Sequence, residues 1–354
     1  MKIKALNSLM VAVLFVLAYA SAFTYYGGFN FTTSLIVLAV GSVLLSFVPK
    51  QKGVLQAGIY KEAWSKEVLK FVTAALKSSF LDGITDYSKY VSNVGDEAQV
   101  IHIASMNVLP EVLINNTNYP IGVADLGLTD IPISLDKFQT VATPITDDEL
   151  YASTANKMEL VKDRHGRAIM IKMYKRAIFN LAPSGETAKM PVLLTTGADD
   201  GTGRARLTFE DLLSLKGKCD KLEIDEASRR LVLCSDHVND LIAQDKDFKA
   251  LFYNRTTGKL MNMLSFQIDD YIGNPYFNPA TKNRLSFGAI PTDADRQASV
   301  FFSLDRAAKA MGWTKTYIDL PGTQDQRTLI NFRQYGIVLP TAEEMRGAIV
   351  SANK

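Results

Sequence analysis

A polar, strand-like segment that leads straight into a helix start constrains this chain more than any other feature. From Ile133 to Ala152 it reads ISLDKFQTVATPITDDELYA. Between Asp130 and Asp136 apolar and polar residues alternate, which is the two-residue period of a strand with one apolar face. Such a ribbon carries too little apolar surface to be stable alone in water. It is typical of a subunit that reaches across to its neighbours rather than of an enzyme pocket.

A long helix is predicted from Thr146 to Leu181. The proline two residues before Thr146 excludes a helix that continues from upstream, and Thr146 with Glu149 has the spacing of a capping box. Apolar residues then recur at intervals of three and four, and a break or bend is expected near Gly166. The polar side of this helix is basic, with two acidic residues among seven basic ones: Lys157, Glu159, Lys162, Asp163, Arg164, Arg167, Lys172, Lys175 and Arg176. A solvated face explains this basic run, and an acidic neighbour or nucleic acid is the alternative.

The ribbon is also one arm of a predicted β-hairpin. Its parts are the strand Val100–Ile114, the turn cluster Asn115–Pro120, the loop Gly122–Thr129 and the return strand Asp130–Val141. A two-stranded hairpin is marginally stable in water, so it needs a surface to lie on. In the favoured interpretation that surface is another subunit.

The charge balance limits what the chain can bind. It has 39 Lys and Arg against 37 Asp and Glu, a net charge of +2. A protein that clamps nucleic acid through phosphates normally has a strong basic excess, so tight DNA binding is excluded and loose confinement of DNA is not. The two cysteines, Cys219 and Cys234, provide no disulfide framework. With His237 they would make a zinc site that lacks a fourth ligand, so buried apolar cysteines are preferred.

The first 52 residues form a predicted hydrophobic hairpin. No charged residue occurs from Ala5 to Pro49, and the two apolar stretches are Ser8–Tyr26 and Thr32–Val48. Roughly 17 to 19 helical residues span about 25–29 Å, which is enough to cross a bilayer core. Lysines flank both outer ends, which predicts that both termini lie in the cytoplasm. Residues 5–49 would then insert into a membrane.

Two other interpretations of this front end stay open. The first stretch has the pattern of a signal peptide, with Ala20-Ser21-Ala22 as the cleavage motif, although a second membrane-length run would remain in the product. Alternatively, the hairpin is a buried or removable assembly segment.

The rest of the chain mixes helices and strands without a regular βαβ order, which predicts an α+β fold. Helices are expected at Lys61–Lys77, Thr208–Lys218 and Ser235–Gln244. Strands are expected at Arg230–Cys234, Lys259–Gln267, Tyr317–Leu320 and Thr328–Leu339. Asn274–Asn283 is interpreted as a loop, and Gly312 as the stop of an apolar run that begins at Ser299.

Catalytic and cofactor motifs are not found in the sequence. Pro191–Arg206 is rich in glycine but has neither the lysine of a P-loop nor the third glycine of a dinucleotide loop, so it is interpreted as a flexible connection. The three histidines, His102, His165 and His237, lie in different segments and outside any recognised catalytic motif. We therefore predict that the protein is not an enzyme, with no catalytic, cofactor-binding or metal-ligating residues.

Four segments carry a family resemblance. KQKGVLQAGIYKEAW, VLINNTNYPI, ISLDKFQTVATPITDDELYA and KMELVKDRHG occur in this order. Together they resemble the major capsid proteins of tailed phages and prophages of Bacteroidetes-type hosts, a family with the Hong Kong 97-type capsid fold that encapsulins share. The resemblance covers residues 50–354 and is most specific between Val112 and Gly166.

The resemblance implies a domain organisation and a function. The implied parts are the hydrophobic hairpin 1–52, an N-terminal arm 53–95, an extended β-hairpin 96–145, a peripheral domain with a spine helix 146–205 and 325–354, and an axial domain 206–324. The implied function is self-assembly, through pentamers and hexamers, into an icosahedral shell around double-stranded DNA that is contacted weakly and non-specifically. Portal or scaffold proteins would be further partners. The expected location is the virion, with assembly in the host cytoplasm or at the inner-membrane face.

One feature departs from the family. Related proteins often begin with a charged, coiled-coil-like scaffolding segment that is removed on maturation, whereas this chain begins with an apolar hairpin. Some related proteins also form covalent Lys–Asn links, and no motif assigns one here. The alternative functions are a membrane-hairpin-anchored cytoplasmic interaction protein without a shell, and an enzyme on that anchor that uses the loop 197–203.

Overall fold

The computed structural model describes residues 64–72, 79–94, 98–106, 117, 128–146, 157–244, 249, 252–254, 256–257, 259–320, 327–341 and 345–354. All of them belong to one compact unit, residues 60–354. Among these residues no helix combines the length and the apolar character needed to cross a bilayer. The predicted hydrophobic hairpin of residues 1–52 lies outside them and stays a prediction.

The first sheet has five strands built around two long antiparallel strands. Its members are β1 (Thr85–Asp86), β5 (Asp136–Gln139), β6 (Thr143–Thr146), β15 (Ala307–Asp319) and β16 (Arg327–Pro340). β15 and β16 pair along almost their whole length, β5 and β6 both pair with the other side of β16, and β1 pairs with β15 in parallel. This sheet is the platform for the long helix.

The helix α2 (Lys157–Leu181) lies on β16 and buries one stripe of its surface. The buried positions Val161, Ile169, Met173 and Ala177 follow a period of about four residues, which places them on one face. A shorter helix, α1 (residues 64–72), packs Val68 and Val72 into the same core. The predicted helix Lys61–Lys77 is confirmed over the part that is described.

Two expectations for α2 are corrected. Thr146 is the last residue of a strand paired with β16, and residues 147–156 lie outside the described part, so the helix is observed from Lys157. The expected break near Gly166 is wrong, because the helix continues through it. A Cβ at Gly166 would lie 3.2 Å from Cδ1 of Phe71, so the glycine allows α1 to approach closely.

The predicted hairpin is confirmed as the outer part of a three-stranded sheet. Its strands are β2 (Val91–Val94), β3 (Ala98–Met106) and β4 (Leu128–Ser134), in the order β2-β3-β4. The tip lies outside the described residues apart from Thr117. The return strand, predicted as one piece to Val141, is divided, because buried Leu135 packs with Ala308 and Tyr335 and turns the chain from this sheet onto β16.

The second sheet has seven strands in the order β11-β8-β14-β12-β13, with β17 between β14 and β7. Its members are β7 (Val192–Leu194), β8 (Arg229–Leu233), β11 (Gln267–Asp270), β12 (Tyr276–Asn278), β13 (Asn283–Arg284), β14 (Arg296–Ser303) and β17 (Arg346–Val350). Two further helices, α3 (Phe209–Lys221) and α4 (Ser235–Gln244), share a core with one face of it, and α2 shares a core with the other. A small separate pair is formed by β9 (Tyr253–Asn254) and β10 (Lys259–Leu260).

Several predicted boundaries are wrong in this half. β15 continues through Gly312, with a register shift between Met311 and Thr314, because the carbonyl of Gly312 is bonded by the side chain of Gln334. The predicted strand Lys259–Gln267 is two short strands, and β12 lies inside the predicted loop Asn274–Asn283. These strands are only two to four residues long, so they have little local signal.

The predicted cap of α3 is confirmed. Thr208 accepts a hydrogen bond from the backbone N–H of Asp211 at 3.2 Å, and the Asp211 carboxylate accepts one from the N–H of Thr208 at 2.9 Å. This reciprocal pair satisfies two helix-end donors. The helix ends at Lys221, three residues beyond the predicted Lys218.

Removing this cap should weaken the fold measurably. We expect Thr208→Ala to lower the free energy of unfolding by about 1 kcal/mol, because one N–H in the first turn loses its partner. Urea denaturation would measure it, with Thr208→Ser as the control that keeps the hydroxyl. Equal losses in both variants would contradict the assignment of the cap.

Candidate assembly surface

An open groove of about 680 Å³ lies between α2, β5 and the loop that follows β5. Its floor is apolar, with Phe138 from β5 and buried Ile169 from α2, and its rim includes Val141, which is 88% exposed. The loop is held down because Thr140 donates its N–H to the carbonyl of Phe332 and accepts the N–H of Phe332 at 3.0 Å. The groove is therefore a shaped feature of the surface.

One end of the groove contains a buried histidine. The Nε2 atom of His165 lies 2.9 Å from Oγ1 of Thr143, and its ring packs 5.4 Å from that of Phe332. Burial lowers the pKa of His165, so the ring is neutral at pH 7. It joins α2 to β6 and β16.

Cations lie along the rim. Arg176 is bound to Asp136 at 3.0 Å, whereas Arg164 and Lys172 form no ion pair with any residue in the described part of the chain. Exposed Ile171 lies beside them on the same helix face. An apolar floor beside unpaired cations fits a peptide segment with apolar and acidic side chains.

The other end of the groove is closed by Phe287, which is 47% exposed. Its ring meets that of Phe179 edge-on at 5.2 Å, and the guanidinium of Arg176 lies 5.0 Å from its centre. Phe287 also lines a second pocket of about 240 Å³ beside Ile272, which is 82% exposed. Phe287 is therefore shared by the apolar groove and a second, more polar pocket.

Two arginines tie the C-terminal end of α2 to the seven-stranded sheet. Arg284 of β13 donates to the carbonyls of Phe179 and Ala182, and Arg346 of β17 donates to that of Asn180 at 3.3 Å. Burial, with the neighbouring arginines, lowers the pKa of Arg284 to about 10, so it stays charged at pH 7. Cations at this end complement the helix dipole. They set the position of α2 and hence of the groove.

The loop proposed as a flexible connection is ordered instead. The carboxylate of Asp199 accepts hydrogen bonds from the backbone N–H groups of Gly201 and Gly203. The carboxylate of Asp200 accepts one from Nε of Arg204 at 2.8 Å. The backbone amides that would cradle a phosphate are thus bound to the loop's own carboxylate. Arg204 also makes a bidentate pair with Asp240, at 2.7 and 2.8 Å, in the interior.

The cysteines and His237 do not converge on a metal site. Cys219 and Cys234 are buried free thiols, as predicted, and burial raises their pKa values to about 12 and 11. The two ring nitrogens of His237 lie against the hydroxyls of Ser299 and Ser351. Across the described residues no group of three or more His, Cys, Asp or Glu side chains could hold a metal ion.

The other residues considered from sequence lie far apart in the fold. His102 is on β3 of the hairpin, opposite Pro132, whereas His165 lines the groove and His237 is a fully buried residue of α4. Asp269, 3.6 Å from Arg230, is on β11, and Asp147-Asp148-Glu149 lies outside the described residues. The sequence did not identify Phe138, Val141 and Phe287 as parts of an exposed apolar surface. The one hint was that the alternation of apolar and polar residues stops at Val141.

A hairpin ribbon, a long helix on a five-stranded sheet and a second sheet with its own helices together make the Hong Kong 97-type capsid fold, in the mixed α+β class that was predicted. No protein-family model matches the sequence, and a search of curated proteins finds no relative.

Solved structures share this fold at low sequence identity. The mature capsid of bacteriophage PhiM1 matches with a TM-score of 0.51 and 12% identity, over 77% of this chain and 86% of that one. The capsid of cyanophage P-SCSP1u matches with 0.51 and 14%, over 78% and 88%. The capsid of the native GTA particle matches with 0.52 and 10%, over 77% and 90%. At such identities the likeness establishes the fold.

Proposed function

We propose that this protein is a major capsid protein that assembles into an icosahedral shell around double-stranded phage DNA. The observation that carries the proposal is the match of its fold to phage capsid subunits over most of both chains. The exposed groove supports it independently, since it leaves apolar surface that a neighbouring copy would cover.

The finer parts of the proposal concern partners. The shell would be built from pentamers and hexamers, with portal or scaffold proteins as further contacts. DNA would be held weakly and non-specifically, because the net charge is only +2. The domain boundaries 1–52, 53–95, 96–145, 146–205 with 325–354, and 206–324 stay a proposal of the same kind.

The location and the front end follow from the same proposal. The mature protein would be in the virion, and newly made subunits would be in the host cytoplasm or held at the inner membrane by residues 5–49. We infer a structural role without catalysis, since His165 and His237 are both buried and bound to hydroxyl groups. Mass spectrometry of purified particles tests the fate of the front end, because peptides from residues 1–49 at full stoichiometry would eliminate cleavage.

The direct test is assembly. The full chain and residues 53–354 would be expressed and inspected by size-exclusion chromatography and negative-stain microscopy. Closed particles, or rings of five and six copies, are the expected result. A monodisperse monomer at high concentration in both cases would overturn the proposal and favour the membrane-anchored interaction protein.

A charge reversal at the groove tests where subunits meet. We expect Arg164→Glu combined with Lys172→Glu to abolish or strongly reduce shell formation, because like charges across a contact cost several kcal/mol. Lys218→Glu with Lys221→Glu on α3 is the matched control, with the same change in net charge away from the groove. Shell yield by light scattering is the measurement. Equal yields from the two double variants would show that the groove is not a contact.

A further inference from the structure

The last four residues of the chain run along one loop, with Ser351 buried and Asn353 and Lys354 exposed. The side chain of Asn353 also accepts from Nε of Arg296 at 2.7 Å and donates to the carbonyl of Ala294 at 3.0 Å. The N–H of Ala205 donates to the carbonyl of Ala352 at 2.9 Å, and the N–H of Lys354 donates to that of Gly203 at 2.9 Å. The N–H of Ala352 is bound by Oγ1 of Thr195 at 3.1 Å. We call residues 351–354 the C-terminal segment and residues 199–205 the acidic loop.

Ser351 connects the C-terminal segment to the core through its hydroxyl group. Its hydroxyl oxygen lies 3.2 Å from a guanidinium nitrogen of Arg204 and 2.9 Å from Nε2 of His237. Arg204 can only donate, so the oxygen of Ser351 accepts from it and the hydroxyl proton is free to point at Nε2. Nδ1 of His237 then carries the ring proton and faces Oγ of Ser299 at 2.6 Å. When His237 is neutral, each of these donors and acceptors therefore has a hydrogen-bond partner.

The site is closed to water. His237 and Ser299 have no exposed surface, and Ser351 is 1% exposed. The remaining ionisable groups around the ring are Arg204 of the acidic loop, Asp240 on α4, Asp211 on α3 and the thiol of Cys234 at the end of β8.

A second proton on the ring would not fit this arrangement. The Ser351 oxygen would face two donors, and its own proton would lose its acceptor. Arg204 would oppose the new charge, whereas the carboxylates of Asp240 and Asp211 would favour it, and burial would oppose it most. Asp240 cannot turn to it, because its oxygens already accept two bonds from Arg204 and the N–H of Leu207. Asp211 is likewise bound to Thr196 and Thr208.

We propose that His237 is an acid-operated latch, whose protonation releases the C-terminal segment from the acidic loop while the seven-stranded sheet stays folded. At neutral pH the latch is closed, because burial lowers the pKa of His237 to about 4. In the released state the ring is solvated and has its ordinary affinity for protons. Falling pH between about 6.5 and 4 therefore favours release, by up to about tenfold per pH unit. The latch does not depend on shell formation.

Hydrogen exchange of the full chain at about pH 7 and pH 4.5 tests the latch, with rates corrected for the intrinsic pH dependence of amide exchange. We expect protection of residues 199–205 and 351–354 to fall by at least about tenfold at the lower pH, while β14 stays protected. His237→Gln, which keeps a donor and an acceptor but does not titrate, should remove the difference. His165→Gln is the matched control at another buried histidine and should leave the difference unchanged.

Two results would overturn the proposal. One is equal protection of the C-terminal segment at both values of pH, and the other is a loss that persists in His237→Gln. If His237→Gln does not fold, Ser351→Ala provides the test, since it removes the hydroxyl group that connects the C-terminal segment to the core and keeps His237. That variant should show at pH 7 the low protection that the natural chain shows at pH 4.5, and full protection at pH 7 would refute the latch.

Discussion

Replacing Asp240 by asparagine is expected to lower the free energy of unfolding by about 3–5 kcal/mol, the largest effect of any single charge change in the described structure. The carboxylate of Asp240 is 5% exposed and neutralises Arg204, which is 8% exposed. Its loss leaves a buried guanidinium with the more exposed Asp200 as its remaining charged partner and the hydroxyl of Ser351 as a neutral acceptor. The cost arises from the uncompensated charge and the lost hydrogen bonds, because a buried cation cannot recover its hydration.

Urea denaturation of unassembled subunits would measure this cost. Glu186→Gln is the matched control, because it breaks the ion pair between Glu186 and Lys282. The side chain of Lys282 is 31% exposed and that of Glu186 is 38% exposed. Exposed pairs contribute less than about 1 kcal/mol, so the control should be nearly neutral. Similar losses in the two variants would mean that the buried pair does not hold the acidic loop.

The second large effect is expected at Phe332. This side chain has no exposed surface, lies on β16 beneath α2 and packs against the ring of His165. Phe332→Ala should lower the free energy of unfolding by about 3–5 kcal/mol, since it removes apolar contacts and leaves a cavity. It should also reduce shell formation, because His165, which lines the groove, packs against the ring that is removed.

A graded series separates packing from backbone effects at this position. Phe332→Leu retains most of the volume and should cost less than about 1.5 kcal/mol, with shells still formed. Thermal unfolding of the subunits and particle yield would be measured together. If Leu and Ala at this position cost the same, cavity formation is not the cause and the argument from packing fails.

Elements with a strong local pattern were predicted well. Helix α4 has the predicted bounds Ser235–Gln244, and β16 extends one residue beyond the predicted strand Thr328–Leu339 at each end. The cap at Thr208 was recognised because capping depends on residues within one turn. The hairpin strands were recognised because alternation is a property of consecutive side chains.

Elements whose conformation depends on contacts with residues far away in the sequence were predicted wrongly. Gly312 has the character of a stop, yet the side chain of Gln334 binds its carbonyl and the strand continues. The glycine-rich loop has the composition of a flexible connection, yet the buried ion pair of Arg204 with Asp240 orders it. In both cases tertiary contacts outweigh local propensity.

The sequence by itself determined the α+β class, the ribbon that leads towards a long helix and the resemblance to capsid proteins, because periodicity, capping and turn chemistry act over a few residues. Only the tertiary structure decided the groove, its closure by Phe287 and the environment of His237. These features join side chains that are far apart in the chain, as with His237 and Ser351, 114 residues apart. Their burial and charge exist only once both layers of the fold have packed together.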